Sequence, residues 1–220
     1  SVINEMEDEN DIKEYANIRK SGKIAISLAE GDELISVQFS KGDDEILVAS
    51  NEGKCIKFSE NDVRPLGRDT MGVRAIDLAD DDYLVDMIVL KPDTQIITVS
   101  ANGYGKRSPQ SEYRLQNRRG KGVKAGVFNA KTGRLVNLKQ ATEDEDIMMI
   151  ADNGVIIRTP AKDISIIGRD TVGVKIMRLK DNAKVTCVAI ADHIAEDMTD
   201  DGDLHDDIEI NETFTEDNNE

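Results

Sequence analysis

Short runs of Ile, Val, Leu and Met, broken every several residues by Gly, Asn or Asp, recur along the chain. In the first third they fall near Leu28, at Leu34–Phe39, at Ile46–Ala49 and at Cys55–Phe58. This is the pattern of strands and turns, not of helices. Three of the runs, EILVASNEG, QIITVSANG and DIMMIADNG, close on Gly53, Gly103 and Gly154. Asn-Gly predicts a type I′ turn with positive φ angles, and YGKRS and VIIRT are the return strands. Each unit therefore holds a tight hairpin and about four strands.

The units repeat. GRDTMGVRAIDL at Gly67–Leu78 returns as GRDTVGVKIMRL at Gly168–Leu179, and its second glycine aligns with two more. Gly22, Gly72, Gly122 and Gly173 are separated by 50, 50 and 51 residues, and the hairpin glycines keep the same step. Four strands per period of about 50 residues suit the blade of a propeller rather than a helical solenoid. The expected fold is all-β and propeller-like, with about four blades in a partial or open ring. The repeats run over residues 22–71, 72–121, 122–172 and 173–195, the last cut short because no hairpin follows KVTCVAIADHI.

Charge changes this picture only at the ends. The chain of 220 residues has a formal net charge of −16. Residues 196–220 hold 12 of its 44 acids and no Lys or Arg, and residues 21–195 carry a net charge of only −1. The acidic segment 196–220 cannot bury enough apolar surface to offset its ordering entropy and is expected to be a disordered tail. Ser1–Lys13 is left unassigned. No apolar run approaches the roughly 18 residues of a membrane helix, and the N-terminus has no basic-then-apolar signal pattern, so a cytosolic location is expected. Cys55 and Cys187 stand alone in apolar runs and are expected to be buried thiols in a reducing compartment.

Cations repeat in the same register. The fourth residue after each hairpin glycine is Lys57, Arg107 or Arg158, and the fifteenth is Arg68, Arg118 or Arg169. Two residues after the second landmark glycine come Arg74, Lys124 and Lys175. In a radial array each set forms an arc along the rim. Evenly spaced cations suit a polyanion, and duplex DNA bent around the rim needs contacts repeated along its path. Aromatics make up only 4% of the chain, and no base-reading helix is evident, so sequence-specific readout is not expected. The basic character peaks at YRLQNRRGKGV, Tyr113–Val123, where Arg114, Arg118, Arg119, Lys121 and the adjoining Lys124 surround two glycines.

On GDELISV, NGYGKR, SEYRLQ, IMMIADNGVIIRT, ISIIGRDTVGV and the repeat step, the chain from about Glu14 to Ala195 resembles the C-terminal domain of DNA gyrase A. The corresponding domain of topoisomerase IV is the nearest relative. The resemblance implies a β-pinwheel, a propeller variant with strand exchange between blades. It also implies wrapping of duplex DNA around a basic rim, in support of ATP-dependent negative supercoiling by the whole topoisomerase. Gln116–Gly122, QNRRGKG, resembles the gyrase motif Gln-(Arg/Lys)-Arg-Gly-Gly-(Arg/Lys)-Gly, departing from it at Asn117 and Arg119. In the family that motif belongs to the first blade, whereas here two units precede it, so it is expected to be the degenerate equivalent in a later blade, the authentic motif lying upstream. The implied partners are DNA, the remainder of gyrase A and, through it, gyrase B. The implied location is the bacterial cytoplasm and nucleoid, and the acidic tail is implied to compete with DNA for the rim.

The expected DNA-binding residues are therefore Lys57, Arg68, Arg74, Arg107, Arg118, Arg119, Lys121, Lys124, Arg158, Arg169 and Lys175. No catalytic residue, metal or cofactor is expected in the chain itself. Tyr15, Tyr83, Tyr104 and Tyr113 are assigned to packing. His193 and His205 lack ligand companions, and DDGDLHDD lacks the Gly and Glu of a calcium loop. The rival reading, a propeller that serves as a protein-interaction scaffold, leaves the repeated arginines unexplained.

Overall fold

In the computed structural model, residues 20–22, 24–67, 70–180 and 182–193 are described. These residues are all-β, with short 3-10 turns and no α-helix. The strands are β1 (Glu45–Ser50), β2 (Lys54–Ser59), β3 (Leu84–Val89), β4 (Gln95–Ser100), β5 (Tyr104–Pro109), β6 (Val123–Lys124), β7 (Leu135–Ala141), β8 (Glu145–Ala151), β9 (Ile156–Pro160), β10 (Val174–Lys175) and β11 (Val185–Asp192). They form three antiparallel sheets, ordered β3-β1-β2-β6, β10-β5-β4-β7 and β11-β8-β9.

Each full sheet is assembled from three successive repeats. The hairpin β1–β2 comes from the first, β3 from the second and the two-residue β6 from the third, and β4–β5 with β7 and β10 repeats the arrangement. Among the described residues the third unit supplies four strands, β6–β9, and the second three, β3–β5, and each distributes them among neighbouring sheets. Leu34–Phe39 stands in the register of β3, β7 and β11 and has no hairpin to pair with among the described residues. It is not a strand, and Val37 and Phe39 are 77% and 88% exposed.

The hairpin runs are continuously apolar because both faces are covered. Ile46 and Val48 point into one cluster with Ile56, Phe58, Val63 and Ile76. Leu47 and Ala49 point the other way, into a cluster with Ile88 of their own sheet, Tyr113, and Ile96, Leu135 and Leu138 from the second sheet. A third cluster joins Ile97 and Val99 to Ile147, Met149 and Val188 between the second and third sheets.

Three expectations are corrected. The hairpin turns are not type I′: Gly53, Gly103 and Gly154 have positive φ, but Asn102 and Asn153 do not. The Gly103 amide donates to the Ser100 carbonyl at 2.9 Å, a three-residue loop closed by a left-handed glycine. Cys55 is buried, and burial pushes its thiol up to about 12, but Cys187 is exposed. The register shifts between Val185 and Cys187, and the bulge leaves Cys187 on the outer side while Val185 and Val188 face the core. Of the tyrosines, Tyr113 is a packing residue; Tyr83 is exposed, Tyr104 lies under lysine side chains, and Tyr15 is outside the described residues. The expected disordered tail and Ser1–Lys13 also lie outside them.

Candidate nucleic-acid interface

The three repeated cation columns have three different fates. The first is paired within the fold, buried at Arg107 and half-buried at Lys57 but still exposed at Arg158. Arg107 is 3% exposed, donating from Nε to the Ile164 carbonyl at 2.7 Å, from Nη1 to Gln95 Oε1 at 2.7 Å and Glu143 Oε1 at 3.2 Å, and from Nη2 to the Lys162 carbonyl at 3.1 Å. Lys57 pairs with Glu45 at 2.7 Å, and Arg158 Nε pairs with Asp146 at 2.6 Å. Residues 45, 95 and 146 are themselves in repeat register, so the cation of the return strand answers a polar group that opens each hairpin. Burial pushes the Asp146 carboxyl up, but the hydrogen bonds from Arg158 and His193 outweigh it and hold the group below the usual range. The placement of Lys57, Arg107 and Arg158 in an outward arc is thus corrected: each has a carboxylate or amide partner within the fold.

The second column is a set of staples. Arg118 donates from Nε to the Asp62 carbonyl at 2.8 Å and from Nη1 to the Arg74 carbonyl at 2.9 Å. Arg169 does the same one repeat later, to the carbonyl of Glu112 at 3.1 Å and to that of Lys124. Each ties the 3-10 turn after a hairpin to the segment that arrives from the next unit, and each remains half-exposed. Arg68 lies outside the described residues.

The third column faces outward. Arg74 is 68% exposed with Asp77 at 3.6 Å, Lys124 is 59% exposed with Asp170 at 3.9 Å, and Lys175 is exposed. Ion pairs this exposed are weak and leave the cations available to another anion. The glycine two residues before each sets it in place. Gly122 has φ +68°, and a Cβ there would come within 2.3 Å of the Cys55 carbonyl oxygen, so only glycine lets β6 dock on β2.

The loop 117–122 brings two of the columns together. Arg118 holds the carbonyl of Arg74, the Arg119 amide donates to the Ala75 carbonyl at 2.8 Å, and the Asp77 amide donates to that of Gly120 at 3.1 Å. Arg119 and Lys121 are exposed on this loop. Arg119 has φ +64°, a left-handed conformation that costs a non-glycine residue free energy, and it occupies a place where the gyrase motif has glycine.

The sequence reading missed Lys54, Lys106, Lys131 and Lys184. Lys54 sits directly across from Lys124 in the β2–β6 pairing, but its repeat equivalents are Tyr104 and Val155, so no column marked it. Lys106 is buried, and its ammonium donates to the carbonyls of Gly168, Arg169 and Thr171, fixing the GRDT loop that carries Arg169. Its equivalents are Ile56 and Ile157.

Among the described residues, no group of three or more His, Cys, Asp or Glu is placed to hold a metal ion, and no helix is long and apolar enough to cross a membrane.

The family described as DNA gyrase C-terminal domain, beta-propeller, matches residues 11–41, 44–91, 94–141 and 145–192. DNA gyrase A of Clostridium acetobutylicum is 54% identical over 175 residues, covering 80% of this chain and 21% of that protein. DNA gyrase A of Staphylococcus aureus is 38% identical over 190 residues, covering 86% and 21%. The chain thus spans about a fifth of the length of these relatives. A solved DNA gyrase A C-terminal domain superposes with a TM-score of 0.72 at 28% identity, over 78% of this chain and 59% of that one. The C-terminal domain of DNA topoisomerase IV shares the fold, with a TM-score of 0.78 at 22% identity over 83% of this chain and 57% of that one. With four matched segments that run through the hairpins, the docking glycines and the loop 117–122, this chain belongs to the DNA gyrase C-terminal domain family.

Proposed function

We propose that this chain binds and bends duplex DNA without sequence preference, as part of a DNA gyrase A. It does so along a surface made by Arg74, Arg118, Arg119, Lys121, Lys124, Arg169 and Lys175, with Arg68 as a further member. The observation that carries this reading is the exposed column Arg74, Lys124 and Lys175, repeated at 50 and 51 residues, with Lys124 and Lys175 on the two-residue strands β6 and β10 that dock on β2 and β5. Cations fixed at equal intervals to successive rigid sheets meet a bent phosphate backbone repeatedly, which is what offsets the cost of bending. Lys57, Arg107 and Arg158 are left out because each already has a close carboxylate or amide partner, although Arg158 is exposed. In this reading the chain works in the bacterial cytoplasm, joined to the remainder of gyrase A and through it to gyrase B, and presents the wrapped segment for strand passage by the whole enzyme.

Religation of nicked circular DNA in the presence of the chain tests it. A positive linking-number shift that grows with protein concentration is expected. Binding without a shift would mean that these sheets hold DNA without imposing a handed wrap. No binding, even after removal of residues 196–220, would overturn the reading in favour of a protein-interaction scaffold.

A further inference from the structure

Three lysines converge on one hairpin turn, and no carboxylate among the described residues neutralises them. Lys175 donates to the Asn102 carbonyl at 2.9 Å, and Lys184 donates to Asn102 Oδ1 at 2.6 Å. The Lys175 ammonium lies 4.4 Å from the centroid of the Tyr104 ring, and that of Lys131 lies 5.6 Å from it. Asn102 Nδ2 in turn donates to the carbonyls of Ala130 at 3.2 Å and Lys131 at 2.9 Å, holding the Lys131 turn against the hairpin. All three lysines are exposed.

The repeat supplies an internal comparison. In the first sheet, the places of Asn102, Lys131 and Lys184 are taken by Glu52, Asp80 and Arg134, and Glu52 pairs with Arg134 at 2.6 Å. Fifty-one residues downstream stand Asn153 and Val155, with no short strand laid beside them among the described residues. At this turn the first sheet therefore answers its cation with the Glu52 carboxylate, whereas the second puts a neutral asparagine there. Neutral acceptors and a ring hold three like charges together there, at an electrostatic cost that an arriving anion would relieve.

On the reading that the chain holds duplex DNA, we propose that Lys131, Lys175 and Lys184 around Asn102 form a phosphodiester-binding point of the second sheet, one without a counterpart in the first and third. The tetrahedral oxygens of a backbone phosphate accept from several ammonium groups at once, and the tyrosine ring keeps the lysine stems extended beneath it.

The test uses the 220-residue chain with a random-sequence duplex, reading affinity against salt concentration. Two variants are compared with the wild type: the double substitution Lys131→Gln with Lys184→Gln, and Asn102→Glu, which restores the carboxylate of the first repeat. The double variant is expected to flatten the dependence of log K on log salt by about 0.9 for each phosphate no longer neutralised. Asn102→Glu is expected to weaken binding several-fold, and the Tyr104 ring resonances are expected to shift on adding duplex to the wild type only. If Asn102→Glu perturbs folding, the double variant, which keeps Asn102, decides. Wild-type affinity and salt slope in the double variant, with Arg119→Glu still weakening binding, would overturn this site and leave the DNA reading standing. A wild-type chain that binds no duplex, even without residues 196–220, would overturn both.

Discussion

At the scale of single residues, a repeated cation is not one kind of residue. Arg107, Arg118 and Lys124 each recur at steps of about 50 residues, yet one is buried among acceptors, one staples two carbonyls and one is exposed. What separates them is the supply of acceptors nearby. An arginine beside Gln95 Oε1 and the turn carbonyls of Lys162 and Ile164 is drawn in, whereas Lys124 on its two-residue strand has only a carboxylate at 3.9 Å. Lys106 is the buried extreme. Burial lowers its ammonium from 10.5 to about 8, partly opposed by Asp170 and Glu112. Between about pH 8 and 10.5 the unfolded chain binds the proton that the folded chain has released, so this group adds stability as pH rises across that window, opposed above about pH 9 by Cys55, whose thiol keeps its proton in the fold. Urea midpoints at about pH 7 and about pH 9.5, below and within that window, should therefore show a gain for the wild type. Lys106→Met should lose this pH dependence, and an equal gain in both would refute the assignment.

At the scale of elements, the unit of construction is the docking of a two-residue strand, and glycine permits it. β6 lies on β2 through Lys54–Lys124 and Cys55–Val123, with the Ala125 amide donating to the Gly53 carbonyl at 2.8 Å. Gly122→Ala brings a Cβ within 2.3 Å of a backbone oxygen at positive φ, and should destabilise the chain by roughly 2–4 kcal/mol. Gly31→Ala has a similarly positive φ but nothing within 4 Å, and should cost only about 1 kcal/mol. Equal losses in urea titrations of the two variants would show that close approach is not what the repeated glycine serves. The hairpins, the 50-residue step and the apolar faces were legible because they are local and periodic. The turn type was not: the dipeptide Asn-Gly is compatible with two loop geometries, and the strands that enter and leave decide between them.

At the scale of the whole molecule, strand exchange makes each of the first two sheets depend on the two units that follow it, so the exposed cations Lys124 and Lys175 sit on connected, mutually fixed supports. The 12 acids of residues 196–220 oppose this near-neutral body with its cationic face. Removing them should tighten duplex binding, most at low salt where screening is weakest. Unchanged affinity in a titration of the shortened chain would exclude competition between that segment and DNA.

By itself, the sequence determined the repeat, the all-β class, the hairpins and the basic loop 117–122, because each is written in residues close together or equally spaced. Tertiary structure decided which repeat's strand completes which sheet, and which cations remain free. Both depend on groups far apart in the chain, such as Lys124 on Cys55's strand or Lys184 at Asn102, and a column of identical residues carries no record of the acceptors that fold against it.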